Sequence, residues 1–188
     1  MQQIILASQS PRRKQLMEMA ELEFSIIVAD VDETNPPGMP GEEVPAFLAR
    51  KKADAVSHRT PGAIVVSADT IVLLDGMILG KPRDAADAAG ILGMLSGRMH
   101  RVITGVCIRK DDMEKVFSVT TEVYFRKLSA EQIDHYISRY KPYDKAGAYA
   151  IQEWIGATGI EKINGDYYNV MGLPIGDVLH VLKADFGI

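Results

Sequence analysis

The first residues with chemical potential are two adjacent arginines in the segment S-Q-S-P-R-R, residues 8–13. Pro11 is typical of the first position of a helix, so Arg12 and Arg13 are predicted to lie in its first turn. The helix dipole disfavours a positive charge there by roughly 0.3–1 kcal/mol. An anionic ligand at the helix start, with Ser8 as a hydroxyl donor, would offset that cost. A solvated basic helix end explains the segment about equally well.

Carboxylates form the second candidate group. The segment D-V-D-E, residues 30–33, follows an apolar run at residues 24–29 that predicts a strand. Three carboxylates at a strand end can hold a hard cation such as Mg²⁺ that bridges to phosphate, although an acidic surface turn is the commoner explanation. Asp69 in S-A-D-T is predicted to end another apolar strand, where open α/β sheets bind ligands. It could hold a metal, orient a water molecule or cap a turn.

Lysines and a glutamine complete the candidate groups. Lys51 and Lys52 are adjacent on a predicted helix and cannot share one of its faces, so at most one points inward. Lys81 lies in the loop G-K-P, and each lysine alone fits a solvated surface. Gln152 offers an amide donor and acceptor that suit the edge of a nucleobase. At least two of the nearby aromatic residues are expected to serve in packing: Tyr143, Tyr149 and Trp154.

The elements that must position these groups follow from hydrophobic periodicity and capping residues. Strands are predicted at residues 2–7, 24–29, 63–67, 70–74, 102–108 and 116–125. Helices are predicted at residues 11–20, 44–58, 84–96, 129–140 and 173–184, with N-caps at Ser10, Asp84 and Ser129. Residues 141–169 are predicted to be irregular. Early alternation of strands and helices, followed by a hairpin, predicts an α/β protein with a mixed sheet flanked by helices.

Composition argues against several classes of protein. With 188 residues, 47% of them hydrophobic, the chain suits one domain with a real core or two small lobes sharing a cleft. A net charge of −4 and a pI near 5.6 disfavour broad nucleic-acid binding. No apolar run approaches the roughly 20 residues of a membrane span, and the N-terminus does not resemble a signal peptide. The single cysteine, Cys107, fits a buried thiol in a reducing cytosol.

Motifs of several other enzyme classes are absent from the sequence. It contains no G-x-x-x-x-G-K-[ST], no G-x-G-x-x-G, no H-E-x-x-H and no G-x-S-x-G. The four histidines show no spacing typical of metal ligands. Kinase and serine-hydrolase chemistry are therefore disfavoured.

Several short segments, taken together, resemble the Maf family of nucleotide pyrophosphatases, also called septum-formation-inhibitor-like proteins. Eight of them run in the family order along nearly the whole chain, at residues 6–13, 30–33, 48–53, 67–70, 80–82, 96–106, 144–152 and 164–174. The longest are L-A-S-Q-S-P-R-R, S-G-R-M-H-R-V-I-T-G-V, D-K-A-G-A-Y-A-I-Q and N-G-D-Y-Y-N-V-M-G-L-P. One such segment means little, whereas the ordered set is specific.

The resemblance implies a single Maf-like domain over residues 1–188, with a mixed α/β fold related to inosine-triphosphate pyrophosphatases and two lobes around a cleft. It implies cleavage of a nucleoside triphosphate to the monophosphate and pyrophosphate, with a divalent metal such as Mg²⁺ or Mn²⁺. By family pattern Asp69 is the catalytic carboxylate and, with Glu33, a metal ligand. Positions tied to substrate choice are matched by Arg12, Thr70 and Gln152. Other substrate-binding positions are matched by Ser8, Arg13, Lys52 and Lys81.

The intact D-K-A-G-A-Y-A-I-Q segment resembles the family branch that acts on dTTP and UTP. Modified pyrimidine triphosphates, such as 5-methyl-UTP or pseudo-UTP, are an alternative substrate class. A non-catalytic regulator of septum formation that acts through a protein partner is an alternative of another kind. The chain departs from many members at Glu153-Trp154, where they have glycine after the glutamine. The resemblance also implies a cytoplasmic location and often a homodimer, and no nucleic-acid or membrane partner is expected.

Overall fold

The computed structural model describes residues 2–188 and contains a seven-stranded mixed sheet. Its strands are β1 (Ile4–Leu6), β2 (Phe24–Ile26), β3 (Ile64–Leu74), β4 (Met77–Leu79), β5 (Met99–Lys110), β6 (Met113–Phe125) and β7 (Ile160–Asn164). Their order is β2-β1-β3-β5-β6-β7, with β4 paired to β3 outside that path. β1 is parallel to β2 and β3, whereas β4 is antiparallel to β3 and β7 to β6. The predicted mixed α/β sheet is confirmed.

Helices flank the sheet. They are α1 (Pro11–Met19), α2 (Val44–Ser57), α3 (Ala85–Leu95), α4 (Ala130–Tyr140), α5 (Trp154–Gly159), α6 (Tyr167–Met171) and α7 (Ile175–Phe186). The predicted caps of α3 and α4 are confirmed, because Asp84 accepts a backbone N–H and Ser129 forms a reciprocal capping box. At α1 the side chain of Ser10 makes no capping bond. Instead the hydroxyl of Ser8 accepts the N–H of Ser10 at 3.1 Å.

The chain divides into two compact units. The first comprises the chain up to Thr70 together with Thr104–Val119 and Gly172–Ile188. The second comprises Ile71–Ile103 and Thr120–Met171. β3, β5 and β6 therefore each contribute residues to both units.

Each unit has an apolar core. In the first, side chains of β1, α2 and β3 pack with Cys107, which is fully buried. The predicted buried core thiol is therefore confirmed, and burial raises the pKa of Cys107 to about 12. In the second, the core includes three aromatic side chains, Phe125, Tyr136 and Tyr149.

Two sequence predictions about the elements are wrong. The apolar runs at 63–67 and 70–74 form the single strand β3, so Asp69 lies inside a strand rather than at its end. The strand continues because its residues are apolar on both faces and the Asp69 carboxylate has a cationic partner. The region 141–169 is also more regular than expected, since it contains α5, β7 and the start of α6.

Close packing of α2 on β5 depends on Gly105. A Cβ at this position would lie 2.2 Å from the backbone nitrogen of Ala46, in the first turn of α2. Only glycine permits this approach without a shift of the helix. The packing fixes the start of α2, the helix that carries Lys52. None of the helices described between residues 2 and 188 combines the length and apolar character that a bilayer crossing requires.

Candidate active site

A buried lysine links two carboxylates in the first unit. Lys52 comes from α2, and its side chain is only 10% exposed. Its Nζ lies 2.7 Å from Oδ1 of Asp69 and 2.7 Å from Oε1 of Glu33. The ammonium and the Asp69 carboxylate are both largely shielded from water, where charges interact more strongly than at the surface. Of the adjacent lysines, Lys52 turns inward, which is consistent with the prediction that at most one of the two does so.

A second group of contacts surrounds the guanidinium of Arg13. Its Nε donates to the carbonyl oxygen of Gly172 at 2.8 Å, and its Nη1 donates to the hydroxyl of Ser8 at 3.3 Å. Its Nη2 donates to Oγ1 of Thr70 at 3.1 Å. The Thr70 hydroxyl lies 2.9 Å from Oγ1 of Thr104. All three acceptors of Arg13 are uncharged oxygens, so hydrogen bonds orient the group without neutralising its charge.

The electrostatic setting of Arg13 ties the two groups together. Burial lowers the pKa of Arg13, and the nearby carboxylates of Asp69 and Glu33 oppose that shift. The positive charge of Arg12 lowers the pKa of Arg13 further. A partly buried cation whose hydrogen-bond partners are neutral loses some of its hydration, and an approaching negative charge compensates for that loss. This arrangement favours an anionic ligand.

β3 carries residues of both groups, because neighbouring residues of a strand point to opposite faces. Ser67 and Asp69 share the face towards α2: the Ser67 hydroxyl donates to the carbonyl of Ala49 at 2.6 Å, and Asp69 contacts Lys52. Thr70 points the other way, towards Arg13. The strand therefore places a carboxylate and a hydroxyl side by side along the chain.

The first unit brings together six of the predicted site residues: Ser8, Arg13, Glu33, Lys52, Asp69 and Thr70. Arg12 is half-buried in α1, beside Arg13. Lys81 and Gln152 belong to the second unit, where both are exposed. Lys81 follows β4, and Gln152 precedes α5.

Two of the three aromatic residues near Gln152 pack against other rings, as expected for at least two of them. Tyr149 is buried, with its ring 4.9 Å from that of Phe125. The ring of Trp154 lies 4.8 Å from that of His135. Tyr143 is 38% exposed.

Of the two explanations for residues 30–33, the structure supports the acidic surface turn, because Asp32 and Glu33 contact different partners. Oδ1 of Asp32 accepts the backbone N–H of Thr34 at 3.0 Å and its hydroxyl at 2.6 Å, so this carboxylate stabilises a local turn. Glu33 turns to Lys52 instead. Across residues 2–188 no three His, Cys, Asp or Glu side chains are placed to hold a metal ion together. Mg²⁺ commonly takes only one or two protein carboxylates and completes its shell with phosphate and water, so the pair Glu33 and Asp69 fits such an ion.

Two residues with a place in the site had no role in the sequence prediction, Thr104 and Gly172. Both lie in segments that support the Maf resemblance, yet one contributes a buried hydroxyl and the other a backbone carbonyl. The φ angle of Gly172 is +120°, a conformation that favours glycine. The glycine at position 172 is therefore the one local signal in the sequence that could have indicated a role for Gly172.

Comparison with known proteins gives matches over nearly the whole chain. A family model described as Maf-like protein matches residues 3–185. The dTTP/UTP pyrophosphatase of Porphyromonas gingivalis is 48% identical over 190 residues, which cover 98% of this chain and 94% of that protein. The dTTP/UTP pyrophosphatase of Bacteroides thetaiotaomicron is 47% identical over 183 residues, with 96% and 95% covered.

Solved structures give weaker matches. The Ham1 protein of Staphylococcus aureus has a TM-score of 0.45 at 16% identity, covering 66% of this chain and 72% of that one. A HAM1 protein from Coxiella burnetii has a TM-score of 0.44 at 18% identity, covering 66% and 73%.

Proposed function

This chain belongs to the Maf-like protein family, and we propose that it is a nucleoside triphosphate pyrophosphatase that hydrolyses dTTP and UTP. Relatives that carry the name dTTP/UTP pyrophosphatase are 47–48% identical to it over almost their full length. The observation that carries the proposal is the partly buried Arg13, whose hydrogen-bond partners are neutral, together with the Lys52–Asp69–Glu33 contacts. Such a site offers positive charge and a carboxylate to a polyphosphate.

Binding of the triphosphate is assigned to the basic residues. Arg13 is oriented before the substrate arrives, so little reorganisation is needed when its guanidinium meets phosphate oxygens. Lys52 is held between two carboxylates and adds a second cation to the same unit. Ser8 contributes a hydroxyl and Arg12 a further charge at the start of α1. These groups stabilise the negative charge that develops on the departing pyrophosphate.

Asp69 is assigned to the water molecule that attacks the α-phosphorus. The new bond joins the water oxygen to that phosphorus, and the bond from the α-phosphorus to the bridging oxygen breaks. The electron pair leaves with pyrophosphate, and a proton of the water passes to Asp69 or, if the carboxylate only orients the water, to solvent. Lys52 at 2.7 Å holds the carboxylate in place.

A divalent cation, Mg²⁺ or Mn²⁺, is proposed to bind with the substrate. Glu33 and Asp69 are the residues that would hold it, and both already converge on one cation, the ammonium of Lys52. When bound, such an ion neutralises phosphate charge and makes a coordinated water more acidic. Lys52 would then turn towards a phosphate oxygen.

Residues of the second unit are assigned to the remaining parts of the nucleotide. Lys81 is an exposed cation available to a phosphate group, and the exposed amide of Gln152 suits a base edge. Thr70, Arg12 and Gln152 take part in substrate choice in this proposal.

The homodimer and the cytoplasmic location implied by the family are also proposals. Light scattering tests the homodimer, and cell fractionation tests the location.

The decisive experiment measures pyrophosphate release by wild-type protein and by Asp69→Asn. The panel contains dTTP, UTP, 5-methyl-UTP, pseudo-UTP and dGTP, each with Mg²⁺, Mn²⁺ or EDTA. Asp69→Asn should lower kcat by roughly 10²–10⁴-fold. It should leave the fold intact, because Lys52 keeps Glu33 as a charged partner. Asp112→Asn, in the exposed turn after β5, is the matched control and should match wild type.

Four outcomes of that panel are informative. Turnover of dTTP and UTP with either metal supports the proposal, and preference for the modified nucleotides would shift the substrate within the same class. Near-normal turnover by the Asp69→Asn variant would refute the assignment of the carboxylate. A folded wild-type protein that releases no pyrophosphate under any condition would favour the non-catalytic regulator of septum formation.

A further inference from the structure

Gln152 is the one exposed residue in a run of the second unit that is otherwise shielded. Every residue from Gly147 to Ile151 is buried, and Glu153 is partly buried. The backbone on either side of such a side chain fixes the point and the direction in which it leaves the chain. Its direction therefore depends on how Ala150 and Glu153 are anchored.

Both anchors converge on the hydroxyl of Tyr136, a fully buried residue of α4. The hydroxyl accepts the backbone N–H of Ala150 at 3.1 Å and donates to Oε2 of Glu153. One phenol thus ties down the chain two residues before Gln152 and one residue after it. A buried hydroxyl that both donates and accepts leaves little freedom to either partner.

A buried cation completes the network. Nζ of Lys145 lies 3.5 Å from Oε1 of Glu153 and 2.8 Å from Oδ1 of Asp144, and its side chain is only 10% exposed. The charge of Glu153 is thereby balanced in a setting where an unpaired carboxylate would be costly. The Glu153 side chain is held at both of its oxygens, by Lys145 and by Tyr136.

Packing of α5 restricts the same segment from the other side. A Cβ at Gly156 would lie 1.7 Å from the carbonyl oxygen of Ile151, so the helix sits directly against this backbone. Beside it opens a cavity of about 410 Å³, with Gln152 on its wall. The side chains of Ile160, Lys162 and Tyr167 also line this cavity.

We propose that Tyr136 and Glu153 are positioning residues that fix the direction of the Gln152 amide and thereby set the discrimination between nucleobases. The inference rests on the proposed pyrophosphatase function. An amide reads a base edge only when its oxygen and nitrogen are presented in one fixed orientation, because carbonyl and amino groups of different bases demand opposite partners. Loss of the Tyr136 hydroxyl frees the segment, and the amide can then rotate to accept the wrong base.

The test compares kcat and KM for dTTP and dCTP, whose base edges differ in carbonyl and amino groups, in wild type and four variants. Tyr136→Phe removes the shared hydroxyl, and Glu153→Ala removes its acceptor. Glu153→Gln keeps an acceptor for the hydroxyl and serves as the conservative replacement. Tyr140→Phe is the matched control, because Tyr140 stacks on Tyr136 from the same helix, with ring centroids 5.0 Å apart.

The preference for dTTP over dCTP, expressed as the ratio of kcat/KM values, should fall about tenfold in Tyr136→Phe and Glu153→Ala, the effect of one misaligned hydrogen bond. The kcat for dTTP should stay within about twofold of wild type in both, since the reacting groups are untouched. Glu153→Gln and Tyr140→Phe should keep the wild-type ratio. Amide hydrogen exchange at residues 150–153 should be faster in Tyr136→Phe than in the control.

The possible failures are distinguishable. A wild-type protein that cleaves no triphosphate refutes the proposed function and any specificity role with it. An active wild type whose Tyr136→Phe and Glu153→Ala variants keep the original ratio refutes the positioning role alone. Parallel losses for both substrates would also overturn it, since they indicate a general structural contribution. If one of these two variants does not fold, the other carries the comparison.

Discussion

His100 in β5 makes stability of this protein depend on pH. The residue is 1% exposed, with Nε2 placed 2.7 Å from the hydroxyl of Tyr149. Its ring lies against Phe125 in an edge-on contact at 5.1 Å. Among residues 2–188, Nδ1 finds no hydrogen-bond partner. Burial lowers the pKa of His100 to about 4, so the folded protein holds the imidazole neutral at ordinary pH.

The sign of the effect follows from proton uptake in the two states. In the unfolded chain the imidazole titrates with a pKa near 6.5, whereas in the folded chain it does so near 4. Between these values the unfolded state binds the additional proton, so stability is intact above about pH 7 and falls as the pH drops. From pH 7.5 to pH 5 the loss is about 2 kcal/mol, and from pH 7.5 to pH 6 it is about 0.8 kcal/mol.

Urea unfolding at pH 7.5, 6 and 5 measures this effect in wild type and in His100→Gln. The variant retains a polar group near Tyr149 but does not titrate. The difference between the two free energies of unfolding isolates His100, because carboxylates and the exposed histidines are common to both: His58, His135 and His180. Wild type should lose about 2 kcal/mol relative to the variant between pH 7.5 and 5. A difference that stays flat with pH would refute the reasoning.

Three further predictions concern packing, capping and the site. Gly105→Ala should destabilise the protein by roughly 1–3 kcal/mol or more in urea, since the added methyl meets backbone of α2; unchanged stability would contradict the packing described. Ser129→Ala should cost about 1 kcal/mol through the lost capping box, and a value near zero by the same measurement would contradict that role. Arg13→Lys should lower kcat/KM for dTTP by roughly 10–100-fold, because an ammonium cannot reproduce the forked hydrogen bonds. An unchanged kcat/KM would show that the positive charge at position 13 is sufficient for activity without the forked hydrogen bonds.

Features with a local cause were predictable from the sequence. Pro11 marked the start of α1, and Asp84 and Ser129 marked those of α3 and α4, because each acts on backbone groups within a turn of itself. The hairpin of β5 and β6 followed from two apolar runs and the charged turn between them.

The site itself depends on contacts between distant residues, which no local pattern reveals. Asp69 was expected at a strand end because it lies between two short apolar runs. It lies inside β3 because Lys52, 17 residues earlier, supplies its charge partner. The contact between Arg13 and the carbonyl of Gly172 spans 159 residues and involves backbone, whose chemistry is the same for every residue type. At residues 30–33 the Asp32 carboxylate accepts a hydrogen bond from Thr34 in a local turn, whereas the Glu33 carboxylate contacts Lys52.

The carbonyl of Gly172 is therefore the part of the site most dependent on backbone conformation, and Gly172→Ala tests it. A Cβ there would lie 3.7 Å from Oγ1 of Thr70 and 3.8 Å from Nε of Arg13, so crowding is slight. The φ of +120° is the difficulty, and it costs a residue with a side chain on the order of 1–3 kcal/mol. Relaxation of that strain rotates the peptide and moves the acceptor away from Arg13.

Gly187→Ala is the control that separates the effect of backbone strain on stability from the effect on activity. Gly187, at the end of α7, also has a positive φ, +71°. A methyl group added at Gly187 would meet no atom of residues 2–188 within 4 Å. Both variants should lose stability in urea, since each forces alanine into a conformation that favours glycine, and the loss should be smaller for Gly187→Ala. Only Gly172→Ala should lose activity, by roughly tenfold in kcat/KM for dTTP, the effect of one displaced hydrogen bond to a charged group. Equal kinetics in the two variants would mean that the bonds to Ser8 and Thr70 suffice to orient Arg13 without the carbonyl.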